Sequence, residues 1–345
     1  MKLYNHDFKA AMKGYKAVKT ICKSAKFIVT PGEVITQADD VELSIAADTT
    51  AHENDILLDE NTLKLLEKCT NEGEFEITTS NIKAGTKTIT YTCEDVANEF
   101  IDTSDYKEIA KISQGELLAC IKGVKFSTAK DDTRPVLQYI LWEGNNFVTV
   151  DGFRITTKSS SIAAGMPILL TPTAYGLLEK LLDKKSDQLV TVYLDLDHSD
   201  KRHISFEFGD VILTCLVGEG EFMNYKQVFS NEYSKKLELS RKQLLEKLEF
   251  LQQDKAPVLI TVDNVITLTT ESVTNKLSDS LNIGEIDTNL KEPLEIAFNP
   301  KYFIESLKNI TDDSIILQFV GGHLSPLIIE HNKGKDLLLP IRLNR

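Results

Sequence analysis

Residues 133–155, T-R-P-V-L-Q-Y-I-L-W-E-G-N-N-F-V-T-V-D-G-F-R-I, read as two short strands joined by a turn. Tyr139 and Leu141, then Phe147 and Thr149, alternate with their neighbours at the period of a strand. Glu143-Gly144-Asn145-Asn146 supplies the turn, and Asp151-Gly152 marks a second one. An amphipathic helix precedes this hairpin: Leu117, Leu118, Ile121 and Val124 share one face, with Lys122 and Lys125 beside it. Another helix follows after a connecting strand. Thr171-Pro172 caps it, because proline in the first turn forfeits no hydrogen bond, and Leu177, Leu178, Leu181 and Leu182 are its apolar side.

The same order recurs on both sides. Towards the N-terminus, Asp7 is placed to cap a helix with Phe8, Ala11, Met12, Tyr15 and Val18 inward. Strands follow at 26–30 and 41–46, then a second helix over 59–69 and strands at 74–79 and 87–93. The middle repeat ends in strands at 189–194, 204–208 and 211–216. In the last repeat, Ser240 and Gln243 fit a capping box ahead of Leu244, Leu245, Leu248 and Leu251. Strands at 258–262 and 265–269 follow. Asn299-Pro300 then opens a helix with Phe303, Ile304, Leu307 and Ile310 inward, and the chain closes in strands at 315–319, 326–331 and 337–343. First helices begin near 7, 115 and 240, and second helices near 60, 173 and 300. The fold class this implies is α+β: three similar domains, 1–107, 108–230 and 231–345, each with two helices on antiparallel sheet.

The net charge of −13 argues against nucleic-acid binding until its distribution is read. Residues 1–31 hold Lys2, Lys9, Lys13, Lys16, Lys19, Lys23 and Lys26 against one acid, Asp7, a local charge of +6. That is a basic face on an acidic body. No apolar run approaches the ~18 residues of a membrane span, and the N-terminus carries no secretory pattern. Cys22, Cys69, Cys93, Cys120 and Cys215 are odd in number and contain no C-x-x-C, which reads as reduced thiols in a cytoplasmic protein. Enzyme signatures are sparse. Asp195, Asp197, His198, Asp200 and His203 cluster in D-L-D-H-S-D-K-R-H, the only hint of a metal-dependent hydrolase, and read as a polar loop between strands. Gly218-Glu219-Gly220 lacks the lysine and helix of a phosphate loop and reads as a turn, and Trp142 reads as packing. The expectation is no catalysis, no metal and no cofactor.

Arg134-Pro135-x-Leu137, Asp151-Gly152-x-Arg154-Ile155, Ser325-Pro326 and the C-terminal Pro340-Ile341-Arg342-Leu343, in that order on a three-repeat chain, resemble the bacterial DNA sliding clamp family, the beta subunit of DNA polymerase III. The likeness is densest over 113–180 and 298–345. The chain departs from the family pattern at Phe222-Met223-Asn224-Tyr225 and Ser230. It also lacks an R-P-x-L counterpart near 23–30, and Asn344-Arg345 extend past the final motif.

The resemblance implies a head-to-tail homodimeric ring of six domains around double-stranded DNA, bound without regard to sequence. It implies as partners the catalytic subunit of DNA polymerase III, a clamp loader and other proteins with a clamp-binding motif. DNA contacts are then expected from Lys9, Lys13, Lys16, Lys19, Lys23, Lys122, Lys125 and Arg134. Lysine suits the task, since it meets phosphate as a hydrated point charge without reading bases. A partner-peptide pocket is expected from Leu137, Val150, Gly152, Phe153, Arg154 and Ile155 with Ser325, Pro326, Leu339, Pro340, Ile341, Arg342 and Leu343. The alternative reading is a clamp-fold peptide-binding protein that is not the main replicative clamp.

Overall fold

The computed structural model describes residues 1–49, 55–69, 71–93, 99–131, 133–197, 201–229, 235–252, 256–263, 265–271, 276–281, 293–319 and 324–342. One order of elements runs through it three times. First come β1 (Lys2–Tyr4), α1 (Asn5–Lys19), β2 (Lys26–Thr30), β3 (Glu33–Ala38), β4 (Val41–Ala46), β5 (Ile56–Leu58), α2 (Glu60–Leu66), β6 (Glu74–Ile77), β7 (Asn81–Ala84) and β8 (Lys87–Thr90). Next are β9 (Lys107–Ser113), α3 (Gln114–Val124), β10 (Ile140–Glu143), β11 (Asn146–Val150), β12 (Arg154–Ser159), β13 (Ile168–Leu170), α4 (Pro172–Leu181), β14 (Leu189–Leu194), β15 (His203–Phe208) and β16 (Val211–Leu216). A short α5 (Tyr225–Phe229) leads to β17 (Lys235–Ser240), α6 (Arg241–Leu251), β18 (Val258–Val262), β19 (Ile266–Glu271), β20 (Lys276–Leu281), β21 (Leu294–Phe298), α7 (Pro300–Asn309), β22 (Ser314–Phe319), β23 (Leu327–His331) and β24 (Gly334–Leu338).

Most helix starts follow the expected chemistry. Asp59 accepts from the amides of Asn61 and Thr62, Thr171 from Ala174, Ser240 from Gln243 and Asn299 from Lys301. Asp7 is the exception. α1 begins two residues earlier, after Tyr4, and the Asp7 carboxylate instead accepts from the amide of Asp48. The last strand also differs from expectation: β24 ends at Leu338, and Pro340-Ile341-Arg342 leave the ladder, since proline cannot donate to it. Leu343 lies outside the described residues.

Every sheet pairing among the described residues is antiparallel, and the repeats are stitched in one way. The third strand after the first helix of one repeat pairs with the last strand of the next. Thus β4 joins β16, giving the order β5-β2-β3-β4-β16-β15-β14-β9, and β12 joins β24, giving β13-β10-β11-β12-β24-β23-β22-β17. Two four-stranded sheets remain, β1-β6-β7-β8 and β20-β19-β18-β21. The chain packs as two compact units, Met1–Leu118 with Ala164–Met166 and Leu170–Gly218, and Ala119–Ala163 with Pro167–Leu169 and Glu219–Arg345.

Each unit has its own core. In the first, Phe8, Met12 and Tyr15 of α1 pack with Phe27, Leu63, Leu66 and Phe75, and Phe8 meets Phe27 and Phe75 edge-on. Gly14 lets α1 approach β4: a Cβ there would lie 2.7 Å from Leu43 Cδ2. In the second unit, Leu244, Leu248 and Leu251 of α6 and Phe303 and Leu307 of α7 meet Ile260, Leu268, Ile296 and Phe298.

The β12–β24 seam carries buried charge. Asp336 pairs with Thr156 across it and is 2% exposed. Burial pushes its carboxyl up to about 7, while Ser306, Arg154, Thr156 and Lys158 pull the other way. A carboxyl held protonated by the fold binds its proton more tightly folded than unfolded. Its contribution is therefore full below the ordinary aspartate range and is lost as pH rises towards 7. Replacing Asp336→Asn removes that penalty. The variant melts about 3 °C above the native chain at pH 8 and level with it near pH 4. A melting-temperature difference that does not change between those pH values contradicts this account.

Candidate functional site: a groove at the end of the second sheet

The stretch from β10 to β12 sets the geometry. β10 and β11 are joined by the two-residue turn Gly144-Asn145, with Gly144 at φ 55° and Glu143 facing Asn146. Both strands are buried almost throughout, so alternation of residue type is not alternation of exposure. Thr149, for example, is fully buried, with its hydroxyl 2.6 Å from that of Ser127 and donating to the Val124 carbonyl at 2.8 Å. At the second turn Gly152 takes φ 86°, a conformation side chains resist. Asp151 closes that turn by accepting from the amides of Phe153 and Arg154, each at 3.0 Å.

This turn sends Phe153 and Arg154 to different fates. Phe153 is 58% exposed and stacks on Tyr302, with centroids 5.8 Å apart and planes 25° apart. Arg154 is 4% exposed. Its Nε donates to Asp151 at 2.8 Å, Nη1 to Glu305 at 2.6 Å and Nη2 to the Phe126 carbonyl at 2.9 Å. Its guanidinium carbon lies 4.5 Å from the Tyr302 ring centre and 5.1 Å from that of Phe126. An arginine expected to hold a peptide is therefore spent inside the protein, and Arg342 is the exposed arginine of the set.

The other motif residues gather around this corner. Leu137 lies in a 3-10 turn at Pro135–Gln138, not in a strand, because Pro135 offers no amide to a ladder. With Val150 and Ile155 it joins an apolar cluster that also includes Leu141, Tyr225, Ile328, Leu337, Phe222, Val228 and Phe229. Leu327 pairs with Leu338, so Ser325-Pro326 and Leu339-Pro340 reach the same end of the sheet. The Leu339 amide donates to the Phe153 carbonyl at 2.9 Å, and the Ile341 amide to that of Ala297 at 2.7 Å. Leu339, hydrogen-bonded to Phe153 and 45% exposed, leaves apolar surface open beside it. Tyr302, Glu305 and Phe126 carry no motif and were not legible in the sequence. Tyr302 and Glu305 follow Asn299-Pro300 at the spacing that presents successive turns of one helix face, the one available signal.

A separate cavity of about 450 Å³ opens beside Tyr225 and Phe229, lined also by Thr157, Ser159, His331 and Lys335. None of the residues expected to contact DNA or a partner peptide lines it. Burial pulls the His331 imidazole down to about 4, so it is neutral at physiological pH.

The basic residues divide into free and committed. Lys9, Lys13, Lys16 and Lys23 are exposed. Lys16 pairs with Glu67 and Lys19 with Glu60, whereas Lys9 and Lys13 make no ion pair among the described residues. Lys122 and Arg134 are exposed, and Lys125 is half-buried. On α6, the first helix of the last repeat, two basic side chains are committed. Arg241 donates to the carbonyls of Asp312 and Leu307, and Lys247 pairs with Asp279 at 2.9 Å. Those side chains fasten the fold. Asp195 is buried, and its carboxylate accepts from the Asp197 amide. His198 and Asp200 lie outside the described residues. No metal-holding group of three or more His, Cys, Asp or Glu occurs among the described residues.

Arg154 binds the turn, α7 and the α3 exit together, and truncating one partner of a buried ion pair strands the other. Arg154→Gln destabilises the chain by about 3 kcal/mol. Arg154→Lys recovers less than half of that, since an ammonium cannot reproduce the planar fork. Urea denaturation measures both, and midpoints equal to that of the native chain contradict the assignment.

Comparison with known proteins agrees with this geometry. Residues 226–341 match the family model of the DNA polymerase III beta subunit, C-terminal domain. The beta sliding clamp of Synechococcus elongatus is 26% identical over 258 residues, spanning 69% of this chain and 66% of that protein. The sliding clamp of Pseudomonas aeruginosa superposes with a TM-score of 0.80 at 18% identity, over 99% of both chains. The DNA polymerase III beta subunit of Thermotoga maritima does so with a TM-score of 0.78 at 22% identity, again over 99% of both. The two superpositions establish that the chain has the fold of the bacterial DNA sliding clamps, and the sequence matches make it similar to that family over 226–341 and over 69% of its length.

Proposed function

We propose that the protein is a DNA sliding clamp: a non-catalytic processivity factor that encircles duplex DNA and tethers the replicative polymerase through the groove at Phe153 and Leu339. The observation that carries this reading is the stitching rule. Inside the chain it is satisfied at β4–β16 and β12–β24. Applied once more, it calls for a further partner at β20 and at β8, each an edge strand among the described residues. Unpaired sheet edges attract strands. Pairing β20 of one copy with β8 of another satisfies the rule at both ends, and two copies close the circle. The three domains are then 1–107, 108–230 and 231–345, and the dimer is head-to-tail.

Within such a ring, Lys9 and Lys13 supply mobile charge that meets phosphate without sequence preference, with Lys16, Lys19, Lys23, Lys122, Lys125 and Arg134 as further contacts. The groove takes short peptides from the polymerase catalytic subunit, the clamp loader and other proteins with a clamp-binding motif. Leu137, Val150, Gly152, Ile155, Ser325, Pro326, Pro340, Ile341, Arg342 and Leu343 belong to it with Phe153 and Leu339, while Arg154 supports it from within. Its anchors are apolar, as in the recurring modes of peptide recognition. The place of action is chromosomal DNA in the cytoplasm; no helix among the described residues is long and apolar enough to cross a membrane.

The test is retention on DNA after loading. The clamp stays on a nicked circular plasmid through gel filtration and runs off once the plasmid is cut. Lys9→Glu with Lys13→Glu, which changes four lysines in the two-copy ring, shortens retention and lowers the salt slope of binding by up to about 4, leaving the native mass unchanged. Equal loss from circular and linear DNA contradicts encirclement and leaves a peptide-binding role alone.

A further inference from the structure

We propose that Phe126 is a positioning residue for the partner-peptide groove, acting through Arg154 and Tyr302 on the exposed ring of Phe153. The inference rests on the groove reading above. No motif marks Phe126. It sits in the 3-10 turn Lys125–Ser127 that ends α3. That turn is clamped: Ser127 is fully buried, and its hydroxyl donates to the Val124 carbonyl at 3.1 Å and lies 2.6 Å from that of Thr149. Phe126 is thus presented from a fixed backbone.

From there a chain of planar contacts runs outward. The Phe126 ring lies 5.1 Å from the Arg154 guanidinium carbon, which lies 4.5 Å from the Tyr302 ring centre, and Tyr302 stacks on Phe153 at 5.8 Å. Asp151, Glu305 and the Phe126 carbonyl hold the guanidinium by its edge. Arginine suits this place because its planar cation uses edge and face at once. Tyr302 receives the cation and the Phe153 ring, so its position depends on both. Phe153 is the only exposed link, and a free phenylalanine there would surrender rotamer freedom on binding. A ring already held by Tyr302 has given up that freedom before the peptide arrives. The groove therefore offers a pre-set aromatic wall to an apolar side chain of the partner peptide, and Phe126 is its innermost support.

Phe126→Leu keeps apolar bulk and removes the ring, while Phe126→Tyr keeps the ring. The probe is a fluorescein-labelled decapeptide ending in a Leu-Phe pair, followed by anisotropy. Phe126→Leu binds it about tenfold more weakly, and Phe126→Tyr binds within about twofold of the native chain. A merely structural role would not separate the two by ring alone. In parallel, 4-fluorophenylalanine placed at position 153 reports ring order by its ¹⁹F line: Phe126→Leu shifts and broadens it, and Phe126→Tyr does not. If Phe126→Leu does not fold, Phe126→Met takes its place in both measurements. Native affinity in the leucine variant, or equal loss in the leucine and tyrosine variants, overturns the proposal. If the native chain does not bind the peptide, the groove reading fails. The fluorine line then decides the positioning claim by itself.

Discussion

The antiparallel seam between successive repeats is the constraint on which the rest depends. Neither half of an eight-stranded sheet is complete alone: β2 to β5 end at the edge of β4, and β9 with β14 to β16 end at the edge of β16. Hydrogen bonding β4 to β16 and β12 to β24 removes those edges and makes one ladder from two repeats. Covalent order and spatial order therefore differ. The chain packs as two units although its elements recur three times, because the middle repeat lends one half of its strands to each unit.

The seam between β12 and β24 also accounts for the site. Alternate residues of β12 point to the same face, so Arg154, Thr156 and Lys158 share one side, while Ile155 turns to the other and joins the apolar cluster with Leu137 and Val150. One strand thus feeds a buried ionic network and an apolar wall. Gly152, one residue before Phe153, makes this possible by turning the chain where a side chain could not. The free end of the seam, at Phe153 and Leu339, is where the chain leaves regular structure and apolar side chains remain exposed.

Much of this was legible in the sequence, and the gaps have physical causes. The strands 189–194, 211–216 and 258–262 were read at their observed limits, the first and third because they pack one face on a core at period two, and 211–216 as a short apolar run. β1, β9 and β17 were missed: each leads directly into a helix and reads as its polar approach. β20 was missed because Lys276-Leu277-Ser278-Asp279-Ser280-Leu281 is an edge strand whose composition suggests a loop. In the site, Leu137, Val150, Ile155, Phe153 and Leu339 were placed by motif. The inward turn of Arg154 was not, since it depends on Tyr302, Glu305 and Phe126, two of them more than a hundred residues away. The state of each charge was hidden for a similar reason. A sequence lists charges, but only packing shows that Arg241 and Lys247 are committed to the fold while Lys9 and Lys13 remain free among the described residues.

The central claim is that the stitching rule is completed between two copies. Native mass by multi-angle light scattering, over a hundredfold range of concentration, tests it most directly. One chain is 38.7 kDa, and the account predicts a single species of twice that mass that persists on dilution. A monomer at every concentration, with both four-stranded sheets left at their free edges, would contradict it.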